Sequence, residues 1–168
     1  MIYLIGYMGA GKTTITKLLA NELDLPFYDT DQEIEKKEKK SVSEIFKEDG
    51  ELHFRMLETE LLKSISQNSI IACGGGLPIH NNNMKLINSK GISIYLKASI
   101  NCLFNRLKKE RKSRPLINNK TDKELEVYIK NELQNRGSFY NLSRQTILID
   151  NKSTHEILRD IHSLISPF

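Results

Sequence analysis

Residues 1–14, MIYLIGYMGAGKTT, run from an apolar segment through a glycine-rich turn to a Lys-Thr pair. Ile2 to Ile5 is a short β-rich stretch of the kind buried in a parallel sheet. Gly6 to Thr13, GYMGAGKT, fit G-x-x-x-x-G-K-[ST] at every fixed position. From residue 12 to 23 the side chains Ile15, Leu18, Leu19 and Leu23 recur at helical spacing. Strand, loop and helix therefore follow in the order that a phosphate-binding loop requires. The backbone N–H groups of Gly9, Ala10 and Gly11 can curl around phosphate oxygens at the positive end of a helix. Lys12 is placed to reach the β- and γ-phosphates, Thr13 to offer its hydroxyl to Mg²⁺, and Thr14 to follow it in the first helical turn. The stretch predicts a domain that binds a nucleoside triphosphate.

The rest of the chain repeats the strand–helix rhythm. PFYD (26–29), SIIAC (69–73), ISIYLK (92–97) and TILID (146–150) read as further short strands, with helical patterns between and after them. Thr30 with Glu33, and Ser41 with Glu44, have the spacing of capping boxes. Residues 51–66 carry Leu52, Leu57, Leu61, Leu62 and Ile65, and predict a longer helix. The alternation implies an α/β fold: a five-stranded parallel sheet with helices on both faces, in three α/β/α layers. Residues 108–123, KKERKSRPLINNKTDK, break the rhythm; they are polar and basic and predict a mobile lid.

The chain has 168 residues and 39% apolar content, enough for a single domain with a real core spanning 1–168. A formal net charge of +4 suits an anionic small molecule. Acids and bases are interspersed, which argues against nucleic acid as a partner. Cys73 and Cys102 lie far apart without a CxxC pair, and reduced thiols fit an intracellular protein. No apolar run approaches membrane-spanning length, so a soluble, cytoplasmic domain with no membrane partner is expected. Without an apolar stretch to suggest an interface, a monomer is expected.

NKTD (119–122) matches the N-K-x-D by which GTPases recognise guanine, but it lies in the polar lid segment and not after a buried strand. No D-x-x-G is present to sense a γ-phosphate. A switch GTPase is therefore disfavoured.

Phosphoryl transfer to a small molecule needs an acceptor side. Asp29 and Asp31 fall at the carboxyl end of the second strand, beside the phosphate loop, where open parallel sheets gather ligands. One can support Mg²⁺ through water while the other accepts a hydrogen bond from an alcohol. Phe54, Leu57 and Leu61 mark the buried stripe of the fourth helical segment, and Arg55 and Glu58 lie three apart beside it. A fixed Arg55 can grip an anionic group bidentately. Gly74, Gly75 and Gly76 follow the third strand and allow close backbone approach to a ligand. Arg114, in SRPL (113–116), could close over phosphates from the lid, and Arg136 and Tyr140 lie four apart near a helix end.

In order and approximate spacing, GxxxxGK[ST], D-T-D, G-E-x-x-F-R-x-x-E, G-G-G, R-P-L and R-x-x-x-Y resemble shikimate kinases over essentially the whole chain. The resemblance implies transfer of the γ-phosphate of ATP to the 3-hydroxyl of shikimate, in the route to chorismate and aromatic amino acids. It assigns Mg²⁺ to Thr13 and, through water, Asp29. It assigns the acceptor hydroxyl to Asp31, with Lys12 and Arg114 completing the catalytic set. Arg55, supported by Glu58, and Arg136 would clamp the shikimate carboxylate, and Gly74, Gly75 and Gly76 would contact the ring hydroxyls. The substrate segment would span about 31–62. Arg106 is similar in placement to an arginine stacked on adenine, and the adenine-side loop falls near Asn151. The chain departs from the family in carrying Cys73 where threonine is common, and in the segment after the fifth strand. A gluconate-type kinase on the same scaffold, or a nucleotide-binding regulatory module without catalysis, are the competing readings.

Overall fold

In a computed structural model, residues 1–65 and 68–165 are described. Five strands, β1 (Ile2–Ile5), β2 (Phe27–Asp29), β3 (Ile70–Ala72), β4 (Ile92–Lys97) and β5 (Gln145–Leu148), form one sheet in the order β2-β3-β1-β4-β5. Every pairing is parallel. Parallel strands need helical crossovers that cover both faces, and β1 and β3 are accordingly buried along their whole length. The helices are α1 (Lys12–Leu23), α2 (Thr30–Glu38), α3 (Val42–Glu48), α4 (Glu51–Ser64), α5 (Asn83–Lys90), α6 (Ile100–Glu110), α7 (Asp122–Tyr140) and α8 (Thr154–Ile165). Residue 66, included in the helix expected over 51–66, lies outside the described residues. Among the described residues no helix is long and apolar enough to cross a membrane.

Register sets up the site. Leu4 of β1 and Asp29 of β2 both pair with Ala72 of β3. The segments that leave these strands, Gly6 onward, Thr30 onward and Cys73 onward, therefore emerge side by side at the carboxyl edge of the sheet. The main core fills the interior around Tyr3, Leu4, Leu19, Ile70 and Ile94. Separately, α2, α3 and α4 enclose a small core of Ile34, Ile45, Phe54 and Leu57. The segment of α2 to α4 thus has packing of its own beside the sheet.

Several local expectations are corrected by tertiary context. The N-cap of α2 is Asp29: its carboxylate accepts from the amides of Asp31 and Gln32, at 3.2 and 3.4 Å. Thr30 is already helical, and its hydroxyl is used elsewhere. The Ser41–Glu44 capping box forms as its spacing predicts. Of the apolar positions that mark α4 and α1, Leu52 and Leu18 are 76% and 38% exposed, while Glu58 and Thr16 take buried places on the same helices. In the lid segment, α6 runs on to Glu110, a 3₁₀ turn follows over Arg111–Ser113, and Ile117 is fully buried, so the segment is pinned to the core at one point. The NKTD stretch serves helix initiation. Thr121 caps α7 in a capping box with Glu124, and Asp122 pairs with Lys108 and Arg111.

Candidate active site

The phosphate loop turns between β1 and α1 through glycines in the left-handed region, Gly9 at φ +80° and Gly11 at φ +89°. Gly11 occupies the N-cap of α1, so no side chain caps that helix and its first amides face the cleft edge. Lys12 donates to the carbonyls of Gly6 (2.8 Å) and Tyr7 (3.1 Å), which holds its ammonium against its own loop. Burial lowers the Lys12 pKa, an effect opposed by the carboxylates of Asp31 and Asp29.

Asp29 joins the loop to the acceptor side. One carboxylate oxygen caps α2 and the other accepts the Thr13 hydroxyl at 2.6 Å. One hydroxyl and one carboxylate, with room for water and phosphate oxygens, is a donor set that suits Mg²⁺. Among the described residues there is no cluster of three or more His, Cys, Asp or Glu that could hold a metal ion.

Asp31 sits one helical step further in. Burial and the neighbouring Asp29 push its carboxyl up to about 6, against the pull of Lys12 and Arg55. Its Oδ1 lies so near Gly74 that any Cβ there would collide with it. Thr30, fully buried, accepts the Gly74 N–H at 2.8 Å. The glycine loop is thereby fastened to the start of α2, with Asp31 against it. Across the loop, Tyr140 donates its hydroxyl to the Gly75 carbonyl at 2.7 Å.

Arg55 and Arg136 approach this loop from two helices. Arg55 Nη1 donates to Glu58 (2.8 Å) and Nη2 to Glu51 (2.8 Å), and its guanidinium lies over the rings of Phe46 and Phe54. A Cβ on Gly76 would fall 2.5 Å from Arg55 Nη1, and one on Gly75 would fall 3.4 Å from Arg136 Nη1. Glu58 is fully buried; one oxygen holds Arg55 and the other, Oε1, has no partner among the described residues. Desolvation pushes its carboxyl up to about 7, although Arg55 pulls it down. Arg136 is paired with Glu132 one turn earlier. Two guanidiniums beside a glycine loop have the chemistry to hold a carboxylate bidentately.

A cleft of ≈ 220 Å³ runs from the phosphate loop to Asp31 and the glycine loop, lined among others by Gly9, Lys12, Thr13, Asp29, Gly75 and Arg114. Arg114 reaches it from the lid segment with its Nε donating to Glu110, 3.0 Å away. Cys73 also lines the cleft, buried, its thiol pushed up by desolvation. Thr14 and Gly11 are shared with a second hollow of ≈ 150 Å³, lined by Ala10, Arg106, Lys152 and Thr154. Arg106 donates to the Gly9 carbonyl at 3.2 Å. Asn151 occupies a left-handed turn position at φ +58° and is not among the residues lining either hollow.

The family model described as shikimate kinase matches residues 8–166. A shikimate kinase of Azobacteroides pseudotrichonymphae is 42% identical over 163 residues, covering 95% of this chain and 96% of the relative. The chain belongs to the shikimate kinase family. A crystal structure of shikimate kinase from Bacteroides thetaiotaomicron superposes with a TM-score of 0.92 at 35% identity, over 98% of this chain and 97% of the other. Shikimate kinase from Acinetobacter baumannii in complex with shikimate superposes with a TM-score of 0.87 at 32% identity, over 98% and 91%.

Among the residues singled out from the shikimate kinase motifs, the structure brings together Lys12, Thr13, Asp29, Asp31, Arg55, Glu58, the three glycines, Arg114 and Arg136. Asn151 does not line either hollow, whereas Lys152 and Thr154, which follow it in the chain, line the second one. Sequence reading did not single out those two, nor the tie from Thr30 to Gly74. No local motif signals them. The chain is an enzyme of the small-molecule kinase type, with an ATP-side loop and an acceptor side sharing one cleft.

Proposed function

We propose that this chain transfers the γ-phosphate of ATP to the 3-hydroxyl of shikimate, and that Asp31 receives the hydroxyl proton. The observation that carries the reading is the position of Asp31. It lies in the cleft that holds Lys12 and Thr13, pressed against a glycine loop that Arg55 and Arg136 flank. An alcohol that also carries a carboxylate fits that span, with its anion at the arginines and a hydroxyl at Asp31.

Each residue then has a bounded task. Gly9, Ala10 and Gly11 offer backbone N–H groups to the triphosphate, and Lys12 leaves the Gly6 and Tyr7 carbonyls to bind β- and γ-oxygens. Thr13 and Asp29 would hold Mg²⁺, which supplies positive charge against the phosphates when bound. Arg55, braced by Glu58, and Arg136 hold the carboxylate, so that the reacting hydroxyl is oriented before transfer. Asp31, a stronger base than an ordinary carboxylate, orients the hydroxyl and accepts its proton as the bond to phosphorus forms. Arg114 turns from Glu110 to the transferring phosphoryl group as residues 108–123 close, and water is excluded. Arg106 and Lys152 flank the nucleoside side. Exposed large apolar side chains such as Leu52, Leu116 and Leu148 lie on different elements, which supports a monomer.

The test is release of ADP from MgATP with shikimate, with gluconate and with neither. Release that depends on shikimate supports the assignment. Release only with gluconate keeps the scaffold and overturns the acceptor, and no release with any acceptor despite ATP binding overturns the catalytic reading.

A further inference from the structure

Tyr7 occupies a variable position of the phosphate loop, one residue after the first motif glycine, yet it is 1% exposed. Its two ends meet opposite halves of the site. The backbone carbonyl accepts from Lys12 Nζ at 3.1 Å. The ring lies beneath the Arg136 guanidinium, with Cζ 5.6 Å from the ring centroid, inside the range of a cation–π contact. Burial raises the strength of such a contact, because neither group is solvated on the shared side. The Tyr7 hydroxyl is buried without a hydrogen-bond partner among the described residues, so the ring and not the hydroxyl makes the connection. Gly6, whose carbonyl is the other acceptor for Lys12, also borders Gly75, its oxygen lying 3.8 Å from where a Gly75 Cβ would stand.

We propose that Tyr7 is a positioning residue that couples the two substrates. Its ring props Arg136 in the orientation that grips the acid, and the loop conformation that Lys12 adopts on binding phosphate fixes that ring. The inference rests on the reading of Arg136 as a carboxylate ligand. When Lys12 moves to phosphate it releases the Gly6 and Tyr7 carbonyls, and the loop, now held by nucleotide, sets the Tyr7 ring in one place. A prop that is fixed by one ligand and supports the receptor of another makes each bind better in the presence of the other, by the same factor in both directions.

The experiment is calorimetric titration of shikimate with and without saturating MgADP, and the reciprocal titration, on the unmodified chain, Tyr7→Phe and Tyr7→Leu. The unmodified chain and Tyr7→Phe should bind shikimate several-fold more tightly with MgADP present. Tyr7→Leu should lose this factor: shikimate Kd and KM should rise about tenfold, while MgADP alone binds within about threefold of normal and kcat changes less than KM. If Tyr7→Leu does not fold, Tyr7→Met, closer in volume, gives the same readings. A merely structural role lowers the melting temperature and leaves the coupling factor intact; that result, or equal loss in Tyr7→Phe, overturns the proposal. If the unmodified chain fails to phosphorylate shikimate, the reading of Arg136 fails first, and the proposal with it.

Discussion

The hydroxyl of Thr30 accepts the backbone N–H of Gly74 at 2.8 Å, across forty-four positions of sequence and out of contact with water. The middle residue of D-T-D is thus the fastener of the glycine loop, set between the two aspartates proposed to serve the metal and the acceptor. The same loop lies at close range to Asp31 at Gly74 and to Arg55 at Gly76.

Replacing Thr30 by valine keeps the shape and removes the acceptor, leaving a buried N–H without a partner. Chemical denaturation should show a loss of about 1–3 kcal/mol, the cost of one such orphan. Thr30→Ser should recover most of it. A valine variant as stable as the unmodified chain would show that water or a loop shift replaces the bond.

Gly76→Ala places a methyl 2.5 Å from Arg55 Nη1 and 2.6 Å from Nη2. The collision is with the end of a flexible side chain, so the fold should survive and the guanidinium should move. A rise of about tenfold in KM for shikimate, with kcat much less affected, is the expected signature in steady-state kinetics. Unchanged KM would place the acid somewhere other than at Arg55.

Glu58 supplies a pH signature. Its carboxyl is raised to about 7 in the folded chain, mainly by desolvation, above the usual value near 4.3. A raised carboxyl contributes stability that is fully present below the unfolded pKa and is lost as pH rises through the folded one. Between about pH 5 and 8 the unmodified chain should therefore lose stability on the order of 3 kcal/mol relative to Glu58→Gln. Melting temperatures of both across that window supply the check. Parallel curves would mean that Arg55 keeps Glu58 charged throughout.

Arg114 is part-exposed and, among the described residues, pairs with Glu110. In the proposed mechanism it acts only once the lid closes, so Arg114→Ala should leave the melting temperature within about 1 °C and lower kcat about a hundredfold. Normal kcat in that variant would remove the lid segment from the chemistry.

The sequence makes some of this site legible and hides the rest for a physical reason. G-x-x-x-x-G-K-T works through consecutive backbone amides, and the Arg55–Glu58 pair through one helical turn, so both are written locally. The alternation of short apolar runs with helical stripes likewise predicts the parallel sheet. Thr30–Gly74, Tyr140–Gly75 and Tyr7–Arg136 join elements distant in the chain, and each residue alone reads as a cap or a core aromatic. Thr30 shows the limit well: its spacing to Glu33 resembles a capping box, but Asp29 already caps the helix, which frees the Thr30 hydroxyl for the loop. Asn151 rests on the resemblance at the point where this chain departs from the family, and Lys152 and Thr154 line the neighbouring hollow.

The central claim is that Asp31 directs phosphate onto shikimate. The most direct measurement follows shikimate 3-phosphate by phosphorus NMR as it forms from MgATP and shikimate, for the unmodified chain and Asp31→Asn, with circular dichroism and MgATP affinity taken on both. The account predicts steady product from the first, and a rate at least about a hundredfold lower from the second, with folding and MgATP binding retained. Product formed at a near-normal rate by folded Asp31→Asn would contradict it.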